Sequence, residues 1–98
     1  MNVKLIRMAS GEDVIADLHE DLTDIIVISN PIVLVPAGNG QIAFAPWSPA
    51  LDPDQKEVEV NRRFVVYIAE VNPEILDNYK QMFSKIVTPS SASKKIIT

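Results

Sequence analysis

The chain has 98 residues, 47% of them hydrophobic and only three of them glycine, which is enough for one modest core and too little for two. The absence of cysteine excludes disulfides and thiolate metal sites, and a formal net charge of -4 restricts any polyanion site to a local patch. Val and Ile dominate the apolar content, and their β-branched side chains suit a pleated sheet better than a helix.

In chain order, Val3-Lys4-Leu5-Ile6-Arg7-Met8 reads as a strand that ends in the turn Ala9-Ser10-Gly11-Glu12, where Gly11 supplies a positive φ. Asp13 to His19 reads as its hairpin partner, with Val14, Ala16 and Leu18 on one face and Asp13, Asp17 and His19 on the other. Glu20-Asp21-Leu22-Thr23-Asp24 is an acidic turn. Ile25-Ile26-Val27-Ile28 and Ile32-Val33-Leu34-Val35 have the unbroken β-branched character of strands buried on both faces. Asn30-Pro31 between them predicts a sharp bend or bulge, because proline has no N–H to give a ladder.

Pro36 to Gly40 is a turn, and part of Gln41 to Leu51 pairs as a strand that Pro46 and Pro49 interrupt around Trp47. Asp52 to Lys56 is a polar loop. Beyond it Val58, Val60, Phe64, Val66 and Ile68 share one parity against Glu57, Glu59, Asn61 and Arg63; Arg62 breaks the alternation, which divides the stretch into two strands hinged at Asn61-Arg62-Arg63. Asn72-Pro73 has the N-cap and first-turn chemistry of a helix start. Ile75, Leu76, Tyr79, Met82, Phe83 and Ile86 then form an apolar face over a helix spanning about 72–88. Residues 89–98 have the composition of a flexible tail, with a basic pair at Lys94-Lys95.

Two segments bear on location. The first residues lack the charged, apolar and small-residue pattern of a secretory signal, and no apolar run approaches the ~20 residues that span a bilayer, so the expectation is the cytoplasm and no membrane partner. Charge is uneven, with six acidic and two basic groups in residues 1–24 and two acidic and four basic groups in residues 71–98.

Catalytic and cofactor chemistry find little to use. His19 is the only histidine, and no serine stands in a GxSxG elbow beside it, so it reads as a solvated side chain at a strand end. The carboxylates from Glu12 to Asp24 lack the spacing of a calcium loop, one histidine without cysteine is a poor zinc set, and phosphate-binding glycine loops are missing. The expectation is therefore no enzyme, no metal and no small-molecule cofactor. Trp47 between prolines reads equally as core filling or as an interface anchor. Asn61-Arg62-Arg63 offers guanidinium planes and amide groups suited to phosphates or bases, while the many nearby carboxylates offer the same arginines internal partners.

A meander of five strands with a glycine turn after the first and a basic turn between the last two resembles the Sm-like fold of the Sm, LSm and Hfq proteins. Leu5 to Leu18 look like the first half of the Sm1 motif, with Ala16 where family members usually have a second glycine. The chain is also similar, nearly end to end, to small Sm-like proteins of tailed phages, cyanophages included. The Gly11-Glu12-Asp13 turn, the proline in the third strand, Pro46-Trp47-Ser48-Pro49 and a terminal helix with Tyr79 and Met82 carry that likeness.

The resemblance implies a mainly β, five-stranded, SH3-like small open barrel over residues 1–88, with a C-terminal helix. It implies a cyclic homo-oligomer, pentamer to heptamer, in a host bacterial cytoplasm. It further implies single-stranded RNA held by the loop between the last two strands, at Asn61, Arg62 and Arg63, with Asp24 standing near the position of the family's asparagine. Trp47, Phe64, Val66 and Tyr79 are the expected interface residues. The alternative is a protein–protein interaction or assembly module, of phage or host, in which RNA has no part.

Overall fold

The computed structural model describes residues 1–84. The chain forms β1 (Val3–Met8), β2 (Asp13–Asp21), β3 (Ile25–Pro36), β4 (Ile42–Pro46), β5 (Val58–Asn61), a 3₁₀ turn (Arg62–Phe64), β6 (Val65–Ala69) and α1 (Pro73–Ser84). All the strand pairings are antiparallel, in one open sheet ordered β4-β3-β2-β1-β6, with β5 also on β3.

The β1–β2 hairpin closes where expected, with Gly11 at a φ of 96° donating to the Met8 carbonyl at 2.8 Å. A side chain there would meet nothing within 4 Å, so the glycine is needed for its backbone conformation and not for space. The strand β2 continues through Asp21, two residues beyond the expected end at His19. The ladder accommodates this by a register shift between Leu18 and Glu20, which makes His19 the extra residue of a bulge.

Register explains β3. Ile15 faces Ile32 while Asp17 faces Ser29, so β3 carries an extra residue at Asn30-Pro31, and Asn30 has a φ of 50°. This is the predicted bulge at the proline. It divides the far edge of β3 in two: residues 32–36 pair with β4, and residues 25–28 pair with β5. The sheet thus has six strands where five were expected, because β4 and β5 are successive pieces on one edge of β3, parted by residues 47–57.

The sheet buries both faces. On one, Ile6, Met8, Val14, Ala16, Leu18, Ile26, Ile28 and Val60 form a cluster flanked by Trp47, Val65 and Ile68. No helix among the described residues covers this face, and side chains from five strands meet across a sheet that curls without closing. On the other, Val3, Ile15, Ile32, Val71 and Tyr79 pack with Ile75, Leu76 and Phe83 of α1. The helix starts as expected: Asn72 Oδ1 accepts from Glu74 N at 2.9 Å, and Leu76 N donates to the Asn72 carbonyl at 2.8 Å.

Met82 was expected on the buried helix face and is instead 44% exposed, since the stripe that reaches the sheet runs through Leu76, Tyr79 and Phe83. Ile86, the expected helix end near residue 88 and the tail with Lys94-Lys95 lie outside the described residues. No helix among those described is long and apolar enough to cross a membrane.

Candidate functional site

The β3–β5 ladder begins with Ile25 opposite Asn61. That pairing alone brings the turn before β3 against the turn after β5, although about 37 residues of chain lie between them. Leu22 N donates to the Ile25 carbonyl at 2.9 Å, closing the first turn, and Arg62 N donates to the Asp24 carbonyl at 2.9 Å, joining it to the second. Thr23, Asp24, Ile25, Asn61, Arg62 and Arg63 line the resulting concavity of about 620 Å³.

Asn61 shapes the second turn. Its backbone is extended, with φ -65° and ψ 122°, and its Oδ1 accepts from Arg63 N at 2.9 Å, which caps the 3₁₀ turn. Ala9 N donates to the Phe64 carbonyl at 2.7 Å and fixes the end of that turn to β1. The backbone beneath the two arginines is therefore held from three sides.

Their side chains differ. Arg62 Nη1 is paired with Asp21 Oδ1 at the end of β2. Arg63 is exposed, and its guanidinium has no hydrogen bond or ion pair among the described residues. Internal pairing with carboxylates thus describes Arg62 and not Arg63. Elsewhere Lys4 pairs with Glu70, and Arg7 makes two hydrogen bonds to Asp13, at 2.5 and 3.2 Å. The hydrogen bond to Asp13, and then its charge, push the Arg7 guanidinium further up from its ordinary value, so that cation is committed to the hairpin. Asp24 lines the concavity and contributes a carbonyl to Arg62.

The other expected residues are placed as follows. Trp47 is half-buried against the first core, and its Nε1 donates to Glu12 Oε1 at 3.1 Å. Phe64 and Val66 are 53% and 61% exposed. The β1–β6 register skips Val66, so this residue is a bulge that aims an apolar side chain away from its own sheet. Between Met8, Trp47, Val58, Val60 and Phe64 lies an apolar groove of about 420 Å³, with Glu12 and Glu59 also lining it. Tyr79 corrects its expectation: at 0% exposed it belongs to the helix–sheet core and offers no surface to a neighbour.

His19 has a partner that sequence spacing did not identify. Its Nε2 lies 2.8 Å from Ser29 Oγ, with Asp17 Oδ2 at 3.8 Å and Glu57 Oε2 at 4.0 Å from Nδ1. The pairing register carries an offset on each side of this contact, at His19 in β2 and at Asn30-Pro31 in β3; the proline announces the second, and nothing local announces the first. Ser29 is only 9% exposed, and the Glu57 separation exceeds hydrogen-bond reach. No group of three or more His, Asp and Glu side chains suited to a metal ion occurs among the described residues.

The chain matches no known family model and no curated protein.

Proposed function

We propose that this chain is an Sm-like protein, akin to those of tailed phages, which assembles as a ring and binds single-stranded RNA without making or breaking a bond. One observation carries the reading: the β2–β3 and β5–β6 turns, distant in sequence, meet in a single concavity that presents Arg62 and Arg63. Guanidinium groups on a backbone fixed by Asn61 and Asp24 suit phosphates and base planes. Assembly is supported by the strand edges. Among the described residues β5 pairs only with β3 and β6 only with β1, so each end of the curled sheet has an edge free for a second copy. Pairing unlike edges is a head-to-tail contact, and such contacts close into rings when the rotation permits. Exposed Phe64 and Val66 lie along the β6 end of that contact.

The test is affinity for oligo-U and oligo-A as a function of salt. Binding should weaken with a clear negative slope, and Arg62→Ala combined with Arg63→Ala should abolish it. No binding at low salt would remove the RNA reading.

A second reading, an interaction module for another protein, is favoured by the apolar groove at Trp47 and Phe64 with Glu12 and Glu59 beside it. An apolar peptide bearing basic residues fits that chemistry. Trp47→Ala should then abolish capture of such a peptide while leaving oligonucleotide binding as in the wild type.

A further inference from the structure

We propose that Asp21 is an internal competitor for the anion site: its carboxylate occupies Arg62, leaves Arg63 as the guanidinium that first meets a phosphate, and so holds the site below its full affinity. The inference rests on the anion-binding reading above and assigns a regulator to that site.

Three features on different elements lead to it. Asp21, the last residue of β2, takes Arg62 Nη1 through a carboxylate oxygen, the same kind of acceptor that a phosphate would bring. The pair is wet, with side-chain exposures of 40% for Arg62 and 47% for Asp21, and ion pairs this exposed are weak enough for a second anion to displace. Arg63 has its backbone N held by Asn61 Oδ1 while its side chain is unpartnered among the described residues. An incoming phosphate therefore gains Arg63 with nothing to displace, and gains Arg62 only by displacing Asp21.

Asp24 supplies the control. It lines the same concavity, but it reaches Arg62 through its backbone carbonyl, which a change of side chain leaves in place. Asp21→Asn and Asp24→Asn each remove one negative charge near the arginines, and only the first releases a guanidinium.

The experiment measures oligo-U affinity against salt for the full chain and for Asp21→Asn, Asp24→Asn, Arg62→Gln, Arg63→Gln and Asp21→Asn combined with Arg62→Gln, with thermal melting to verify folding. Asp21→Asn should bind about threefold tighter than the wild type and by more than Asp24→Asn, with a steeper salt slope. Arg63→Gln should cost more than Arg62→Gln in the wild type, and Arg62→Gln should cancel the gain in the Asp21→Asn background. Equal effects of the two asparagine variants, or of the two glutamine variants, would overturn the inference and leave RNA binding standing. Failure of every protein, the wild type included, to bind at low salt would overturn both.

Discussion

The Tyr79 hydroxyl donates to the carbonyl of Asn30 at 2.9 Å, joining the fully buried aromatic ring of α1 to the residue whose φ of 50° interrupts β3. A bulge takes a carbonyl out of the regular ladder, and the phenol supplies the Asn30 carbonyl with a donor at that point. Tyr79 and Phe83 also stack at 4.7 Å between ring centroids with a 48° tilt, which extends the helix contact along the same stripe.

Tyr79→Phe should keep the fold and lower stability by about 1 kcal/mol, the usual worth of one hydrogen bond, as read from urea denaturation. Tyr79→Ala should cost about 3–5 kcal/mol, because it also empties the space at the centre of the second core. A Phe variant as stable as the wild type would mean that the hydroxyl is not the tie between helix and bulge.

The same phenol predicts an alkaline limit. Burial, and then the charge of Asp17, push the Tyr79 phenol up from its ordinary value. Above about pH 10 the unfolded chain loses this proton while the folded chain keeps it, so stability that is fully present below that pH falls as pH rises. Tyr79→Phe lacks this loss. The stability gap between wild type and variant should therefore narrow between about pH 8 and about pH 10.5, and a constant gap would contradict the assignment.

Gly11→Ala should destabilise the chain by about 1 kcal/mol or more, since a φ of 96° disfavours any L side chain even where space is open. The effect belongs to the hairpin, so amide exchange should speed most in β1 and β2. Exchange unchanged there would show that the turn adapts to a different conformation.

Asn72→Ala should cost about 1 kcal/mol through loss of the cap on Glu74 N, whereas Asn72→Ser should cost little. Equal losses for both variants, measured by thermal melting, would place the role of Asn72 elsewhere.

Val66→Asp tests assembly without touching either arginine. Placing a charge on the bulged residue at the β6 end should reduce the mass in light scattering toward that of one chain, while monomer secondary structure by circular dichroism stays as it was. An unchanged mass for an assembled wild type would place the contact elsewhere, and a wild type that is monomeric at every concentration would exclude the ring.

Local signals in this sequence were legible wherever one residue's own chemistry decides the backbone. Gly11 marks the hairpin turn, Asn30-Pro31 marks the bulge and Asn72-Pro73 starts the helix, each by a conformational or hydrogen-bonding property that needs no distant partner. The alternation in β2 and β5 likewise puts Val14, Ala16 and Leu18 on one face and Val58 and Val60 on one parity, and the structure gathers these faces into one core with Ile6. The candidate site was legible only as two stretches of polar residues, and Met82 was misplaced because helical periodicity gives a face without saying how far the sheet extends beneath it.

By itself, then, the sequence determined a β-rich chain with one capped helix and the positions of its turns, because steric and capping preferences act over a few residues. Tertiary structure alone decided that β4 and β5 share an edge of β3, that Asp24 reaches Arg62, and that Asp21 takes Arg62 while the Arg63 side chain has no partner among the described residues. Those facts follow from register, in which an offset of one residue at His19 or Asn30 changes every partner farther along the ladder. Asn30-Pro31 marks one offset, but composition and spacing carry no record of the one at His19 or of the partners that either offset selects.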